Sequence, residues 1–265
     1  MVKIKEESIF PKKSKIEQFS SQMKRSIAIA KKNLRIYYNK GPVVIQGFLF
    51  PGILFFAMTI GREILPIYII SGLMAMVLFL SATSIGPITF PWETRQKTLE
   101  RLITCPISIK TIILGDVWAS FLFGSIISIV PLILGLLIFS FWSSLNLVII
   151  IVGILVSSFS FSCISIILSV PPSDTPASTM ILTVIIKFPL IFISPLFMPI
   201  ESVPSAMISP LTYFIDIINF GLSGNSAFGS LGLLLDFGIL LLFGFGFLFL
   251  SFKLHGKTLQ KRFRG

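Results

Sequence analysis

"VWASFLFGSIISIVPLILGLLIFSFWSSLNLVIIIVGILVSSFSFSCISIILSVPPS", residues 117–173, contains no Asp, Glu, Lys or Arg across 57 positions. One helix crosses the hydrocarbon core of a bilayer with about 20 residues. The run therefore holds at least two spans. The break between them falls at "SFWSSLN", 140–146, where Trp142 is the kind of amphipathic ring that anchors at an interface. Lipid supplies no hydrogen bonds, so spanning backbone must be helical or a closed barrel. Strand-period alternation is absent and the run is far longer than a barrel strand, which leaves helices. The whole composition agrees: 54% of the 265 residues are hydrophobic and 12% charged, with mean hydropathy +0.94.

Outward from this run, charges and Pro, Gly, Ser and Asn clusters divide the chain into six predicted spans, about 43–60, 65–89, 111–139, 146–170, 177–199 and 231–252. The three prolines of "PPSDTP", 171–176, close the fourth. Lys and Arg set the orientation. Twenty of the 22 precede residue 41, lie between 91 and 110, or follow residue 252; the others are Arg62 and Lys187. A six-span topology puts all twenty on one side, and the positive-inside rule makes that side cytoplasmic, both termini included. The expectation is an all-α, polytopic cell-membrane protein with six transmembrane helices. The net charge of +11 follows the membrane edges, where it attracts anionic headgroups. That distribution argues against nucleic acid as a partner.

Four regions are predicted: a mobile basic tail over 1–20, an interfacial amphipathic helix over 21–40, one transmembrane domain over 41–252, and a basic cytoplasmic tail over 253–265. Met23, Ile27, Ala30, Leu34 and Tyr37 share the apolar stripe of the interfacial helix, while Lys24, Arg25, Lys31, Lys32 and Arg35 take other faces. No apolar core of a cleaved leader is present in the first 40 residues. Cys105 faces a reducing compartment and Cys163 lies in a span, so no disulfide is expected.

Most catalytic chemistry is missing. His255 is the only histidine, which removes histidine-based metal clusters, and two distant cysteines do not make a zinc site. "GLSG", 221–224, is similar to the nucleophile motif of rhomboid intramembrane proteases, and a rhomboid-like serine protease using Ser223 is the alternative function. It requires a base within reach, and the topology places His255 at the opposite face. "GKT", 256–258, lacks the glycine a phosphate loop needs at 251, where Ser stands, and follows a membrane helix rather than a strand. The chain is expected to bind no ATP and no metal itself.

Between the second and third spans, "PWETRQKTLERLITCPIS", 91–108, packs five charges between Glu93 and Arg101. On a helical wheel Leu99, Leu102 and Ile103 share one face while Glu93, Arg95, Lys97, Glu100 and Arg101 occupy the rest. The segment resembles the E-R-x-x-G-T-L-E-x-L-L-x-T-P-[IV]-S stretch of type-2 ABC exporter permeases, including the small antibiotic and polysaccharide exporters. Thr98, Leu99, Glu100, Leu102, Thr104, Pro106, Ile107 and Ser108 match in register; Lys97 stands where the family usually has glycine. "KTIILGDVWASFLFG" continues like the family's third span. "FPLIFISPLFMPIESVPSAMISPLTYFID", 188–216, resembles its fifth-span exit and external half-helices, and "AKKNLRIYYNKGPVVIQGFLFPGILFF", 30–56, its interfacial helix and first span.

The resemblance implies the permease subunit of an ATP-driven exporter that is not itself an enzyme. It implies two copies of a separate ABC ATPase subunit carrying ATP and Mg, and a second permease as homodimer or heterodimer. It makes 92–104 a coupling helix, with Glu93, Arg95, Thr98, Leu99, Glu100 and Arg101 meeting the ATPase. It also places re-entrant half-helices over 201–220, with Pro199, Glu201, Pro204 and Pro210 as candidate external gate residues.

Two features bear on the route of cargo. Ser158, Ser162, Ser165 and Ser169 form one stripe on the fourth span, either a packing seam or a polar wall of the route. Ser120, Gly124 and Ser128 on the third span are assigned to packing. Lys187 lies about 15 Å into the fifth span, near the midplane, where a charge faces a cavity or a partner. It serves substrate handling or internal pairing, with Asp236 as candidate counter-ion.

Overall fold

The computed structural model describes residues 15–38, 40–105, 107–139, 145–170 and 176–264. Residues 1–14 of the tail predicted over 1–20, the Trp142 anchor and the prolines within 171–175 lie outside the described residues, and the rest of that tail, 15–20, is the start of α1. Among those described, every element is helical. In chain order they are α1 (Lys15–Tyr37), α2 (Gly41–Val44), a π-turn (Ile45–Leu49), α3 (Phe50–Thr59), α4 (Pro66–Ala82), α5 (Gly86–Arg95), α6 (Thr98–Thr104), α7 (Ile109–Phe139), α8 (Leu147–Leu168) and α9 (Pro176–Ile193). Two 3₁₀ turns (Ile200–Ser202 and Pro204–Ile208) lead into α10 (Pro210–Ser223), and a third (Gly229–Leu231) leads into α11 (Gly232–Arg264).

Four helical stretches are long and apolar enough to cross a membrane: Pro66–Arg95, which is α4 with α5, then α7, α8, and α11 as far as Gly256. The predicted first span, 43–60, is helical from Gly41 to Thr59 through α2, the π-turn and α3, and the predicted fifth, 177–199, is occupied by the shorter α9, which ends at Ile193. The predicted C-terminal tail continues α11 as helix to Arg264.

Helix α8 is the hub, packed against α4, α7, α10 and α11, and α1 lies along α7. The main core is built from apolar side chains of α4, α8 and α10, among them Phe79, Phe161 and Phe214, whose rings meet edge to face. Many large apolar groups elsewhere point outward, including Leu137, Val148, Leu242 and Phe249, as expected where lipid is the solvent. Contacts between helices are close enough to require glycine. A Cβ on Gly72 of α4 would sit 1.9 Å from the Leu196 carbonyl oxygen, and one on Gly86 would sit 2.6 Å from Ser165 Oγ.

The second span does not run straight. Pro87 has no N–H, so the Thr83 carbonyl four residues earlier loses its helical donor, and the chain breaks between α4 and α5. Hydroxyls of Ser81, Thr83 and Ser84 bond back to carbonyls of the preceding turn. The orphaned Thr83 carbonyl is met from α9: Lys187 Nζ donates to it at 2.9 Å.

Candidate functional site

The charged segment after the second span forms two helices at an angle rather than one. α5 ends at Arg95, Gln96 and Lys97 turn, and α6 begins at Thr98. The single coupling helix predicted over 92–104 is corrected accordingly. Lys97 adopts φ 54°, ψ 20°, a left-handed conformation that L-residues enter at a cost and glycine enters freely. The glycine-like position noted in the sequence is thus a turn residue. Thr98 secures the turn by donating its hydroxyl to the Glu93 carbonyl at 3.2 Å.

Leu99 is buried, with Phe90, Ile112, Ile113 and Val117 in one cluster, and Leu102 packs against it. Arg95, Lys97 and Arg101 are exposed. The turn is therefore a cationic tip fixed to the bundle by a leucine anchor. Glu93, expected on the charged outer face, is instead buried at 3% exposure and pairs with Lys32 of α1.

That pair opens a polar network which residue spacing did not reveal. Asn33 Nδ2 donates to Asp116 of α7, itself 1% exposed, and Thr111 Oγ1 donates to Gln22 Oε1 at 2.5 Å. Burial, together with the nearby carboxylates of Glu93 and Asp116, pushes the Tyr37 hydroxyl well above its usual pKa and keeps it neutral. Lys40 Nζ stands 5.2 Å from the Trp92 ring centroid. Three helices, α1, α5 and α7, are thereby tied together behind the cationic tip. The buried stripe of α1 is Ser26, Ile29, Ala30, Asn33 and Tyr37, with Ile27 exposed. Of the predicted stripe, Ala30 and Tyr37 are buried and Leu34 packs against their cluster, while Ile27 is corrected to the exposed face. The reason is Asn33, whose bond to Asp116 rotates a polar residue inward.

The fourth-span serines are all buried, and each hydroxyl is committed within the bundle. Ser158 donates to the Phe121 carbonyl of α7 at 2.8 Å, and Ser162 to the Ser158 carbonyl at 2.7 Å. Ser165 Oγ accepts from the Gly86 N–H at 3.1 Å, and Ser169 donates to the Ile166 carbonyl at 2.6 Å. This is the geometry of a packing seam. Ser160, off the predicted stripe, extends it by donating to the Leu240 carbonyl of α11. Ser120, Gly124 and Ser128 are buried on α7, as expected for packing.

Lys187 is 1% exposed and makes an internal bond, to Thr83. Asp236 is not its counter-ion: it lies beside Asp216.

At the far end, the segment expected as two half-helices over 201–220 consists of short 3₁₀ turns followed by α10. Pro199 precedes the first turn, Glu201 is exposed within it, Pro204 begins the second, and Pro210 begins α10 behind the Ser209 cap. Thr212 Oγ1 donates to the Ala206 carbonyl and Tyr213 to the Met207 carbonyl, which folds the turns onto the helix. Ser223 donates to the Asn219 carbonyl, while His255 approaches Ser169 Oγ at 3.3 Å and the Ile166 carbonyl at 3.1 Å. His255 is roughly 35 Å along α11 from its first turn, so it does not serve Ser223 as a base.

Compared with known families, the chain matches the family model described as ABC-2 type transporter over residues 17–222, from within α1 nearly to the end of α10. No curated protein matches it.

Proposed function

The chain belongs to the ABC-2 type transporter family, and from that premise we propose that it is the six-span permease subunit of an ATP-driven exporter, with both termini in the cytoplasm. A permease of this family is a multi-pass membrane protein built for transport rather than covalent chemistry. The observation that carries the finer reading is the turn between α5 and α6, with its exposed Arg95, Lys97 and Arg101 and its buried Leu99.

In this reading two ABC ATPase subunits, which hold ATP and Mg, dock on the cytoplasmic tips of two permease copies, identical or paralogous. Arg95, Arg101 and Glu100 meet the ATPase. Thr98 and Leu99 keep the turn rigid, and Glu93 acts behind it through Lys32. When ATP binding closes the ATPases, the tip moves, and the anchor and polar network pass the displacement into α1, α7 and the second span. A push on a tip has an effect only if the tip does not yield. Lys187 then holds the break in the second span, and the Pro199–Pro210 segment closes the outer end. The serine stripe supports packing of α8 and not a route.

The test is affinity purification of the tagged full-length protein from its own membranes, with Arg95→Glu/Arg101→Glu in parallel. An ATP-hydrolysing subunit should accompany the wild type and be reduced about tenfold or more with the variant, as expected when two attractive contacts become repulsive. Folded wild type that reproducibly emerges alone would overturn the reading.

A further inference from the structure

At the end of the bundle away from the α5–α6 turn, roughly 40 Å along α4 and α5, lies a cavity of about 230 Å³ lined by Tyr68, Glu201, Asp216, Asn219, Ser223 and Ser226, among others. Three of its donors are already used. Ser226 Oγ donates to Asp216 Oδ2 at 2.6 Å, the Ala227 N–H to Asp216 Oδ1 at 2.9 Å, and Ser223 to the Asn219 carbonyl. One of its acceptors is not. Asn219 is 8% exposed and its Oδ1 has no hydrogen-bond partner. Behind the wall, Asp236 is fully buried beside Asp216, carboxyl against carboxyl. Tyr213, near enough to feel Asp236, spends its hydroxyl on Met207. Among the described residues no cation pairs with Glu201, Asp216 or Asp236.

We propose that this cavity binds a primary ammonium group. Buried carboxylates and an unsatisfied amide oxygen call for a positive ligand bearing several donors, because each unmet acceptor carries a desolvation cost. An –NH₃⁺ group supplies three donors, suited to Asp216, Asn219 and Glu201. A metal ion fits less well: among the described residues no three acidic, His or Cys side chains converge to hold one. The cavity is also several times larger than the roughly 30 Å³ share of one water, which leaves room for a carbon stem. The ammonium can come from a soluble amine or from an ethanolamine lipid headgroup. Neither source requires the ATPase, so the site stands apart from the transport reading.

The test follows thermal unfolding of the full-length protein in phosphatidylcholine nanodiscs, titrated with ethanolamine, choline or calcium as chlorides at matched ionic strength. Ethanolamine should raise the midpoint saturably and choline, which has no N–H, should not. Asp216→Asn disturbs the Ser226–Ala227 loop, so the exposed Glu201→Gln carries the comparison; it should raise the half-effect concentration about tenfold. Discs of phosphatidylethanolamine separate the sources. If the midpoint there is already raised and ethanolamine adds nothing, the headgroup is the ligand; if ethanolamine acts alike in both, it is a soluble amine. The proposal is overturned if choline acts as ethanolamine does, if calcium acts at lower concentration through Glu201, or if none gives a saturable response.

Discussion

The two ends of the molecule treat buried charge in opposite ways. Behind the α5–α6 turn, Glu93 has Lys32 and Asp116 has Asn33, so each buried carboxylate meets a donor from α1. At the other end, Asp216 has two donors from its own loop, while Asp236 is buried against Asp216 itself, with no cation beside either among the described residues. Behind the turn both carboxylates are held by α1, although the Asn33 Oδ1 itself stays unmet; held carboxylates pass on a displacement, whereas less fully held ones leave stabilisation available to something that binds. That contrast suits one end that transmits force and one that receives a ligand.

The contrast breaks most visibly at Lys32. Lys32→Met leaves Glu93 buried without a cation. Losing one partner of a fully buried pair costs about 3–5 kcal/mol, but a third of the Lys32 side chain is exposed, so about 2 kcal/mol is expected here. The reverse change, Glu93→Gln, should cost about half as much, because Lys32 can turn to water. Denaturation midpoints of the two variants in one detergent check the asymmetry. Equal losses would mean that burial of Glu93 is not what distinguishes this end.

Lys187 sharpens the comparison from the middle of the bundle. Lys187→Met keeps the volume and removes the donor to the Thr83 carbonyl, which should cost about 1–2 kcal/mol for an unsatisfied buried acceptor. Restoring the second span's own hydrogen bond with Pro87→Ala should recover part of that loss in the double variant. Additive effects of the two changes would show that Lys187 does not act through the break.

At the far end the sign should reverse. Asp236→Asn replaces one carboxyl of two buried side by side with an amide whose N–H donates to Asp216 without needing a shared proton. A gain of about 1 kcal/mol is expected, the size of one net hydrogen bond. In phosphatidylcholine nanodiscs a loss instead would show that Asp236 is already paired and that the two ends do not differ.

What could be read in the residues follows from how local each signal is. The uncharged run at 117–173 specified α7 and α8, because desolvation of a span is a property of the span itself. Helical spacing put Leu99 on an apolar face, but that this face meets the bundle and not the ATPase depends on α7, which packs Ile112, Ile113 and Val117 around it. The α1 stripe was right at Ala30, Leu34 and Tyr37 but missed the buried Asn33, because its partner is Asp116, 83 residues away, and periodicity carries no such information. Likewise Asp236 was assigned to Lys187 on depth, whereas Asp216 beside it depends on how α10 packs against α11. The break between α4 and α5 was legible in principle, since Pro87 removes the donor for Thr83, but the partner that fills the gap comes from α9. The fifth span read longer from hydropathy than α9 is, since hydropathy does not register where helix gives way to turn at Ile193.

The smallest effect bears on the turn itself. Lys97 holds a left-handed conformation, which costs an L-residue about 1–2 kcal/mol relative to its helical one. Glycine escapes that cost but enlarges the unfolded ensemble by about 0.5–1 kcal/mol. Lys97→Gly should therefore stabilise the protein by about 0.5 kcal/mol and remove one exposed charge from the tip. The two consequences separate two reasons for keeping lysine in a glycine conformation. If Lys97→Gly is more stable and its ATPase partner binds as before, the charge is incidental and Arg95 with Arg101 suffices. If it is more stable but the partner is weakened, the strained lysine is retained for docking, and the tip trades local stability for charge. A loss of stability would show that the turn at Gln96–Lys97 is not the conformation from which this end of the molecule works.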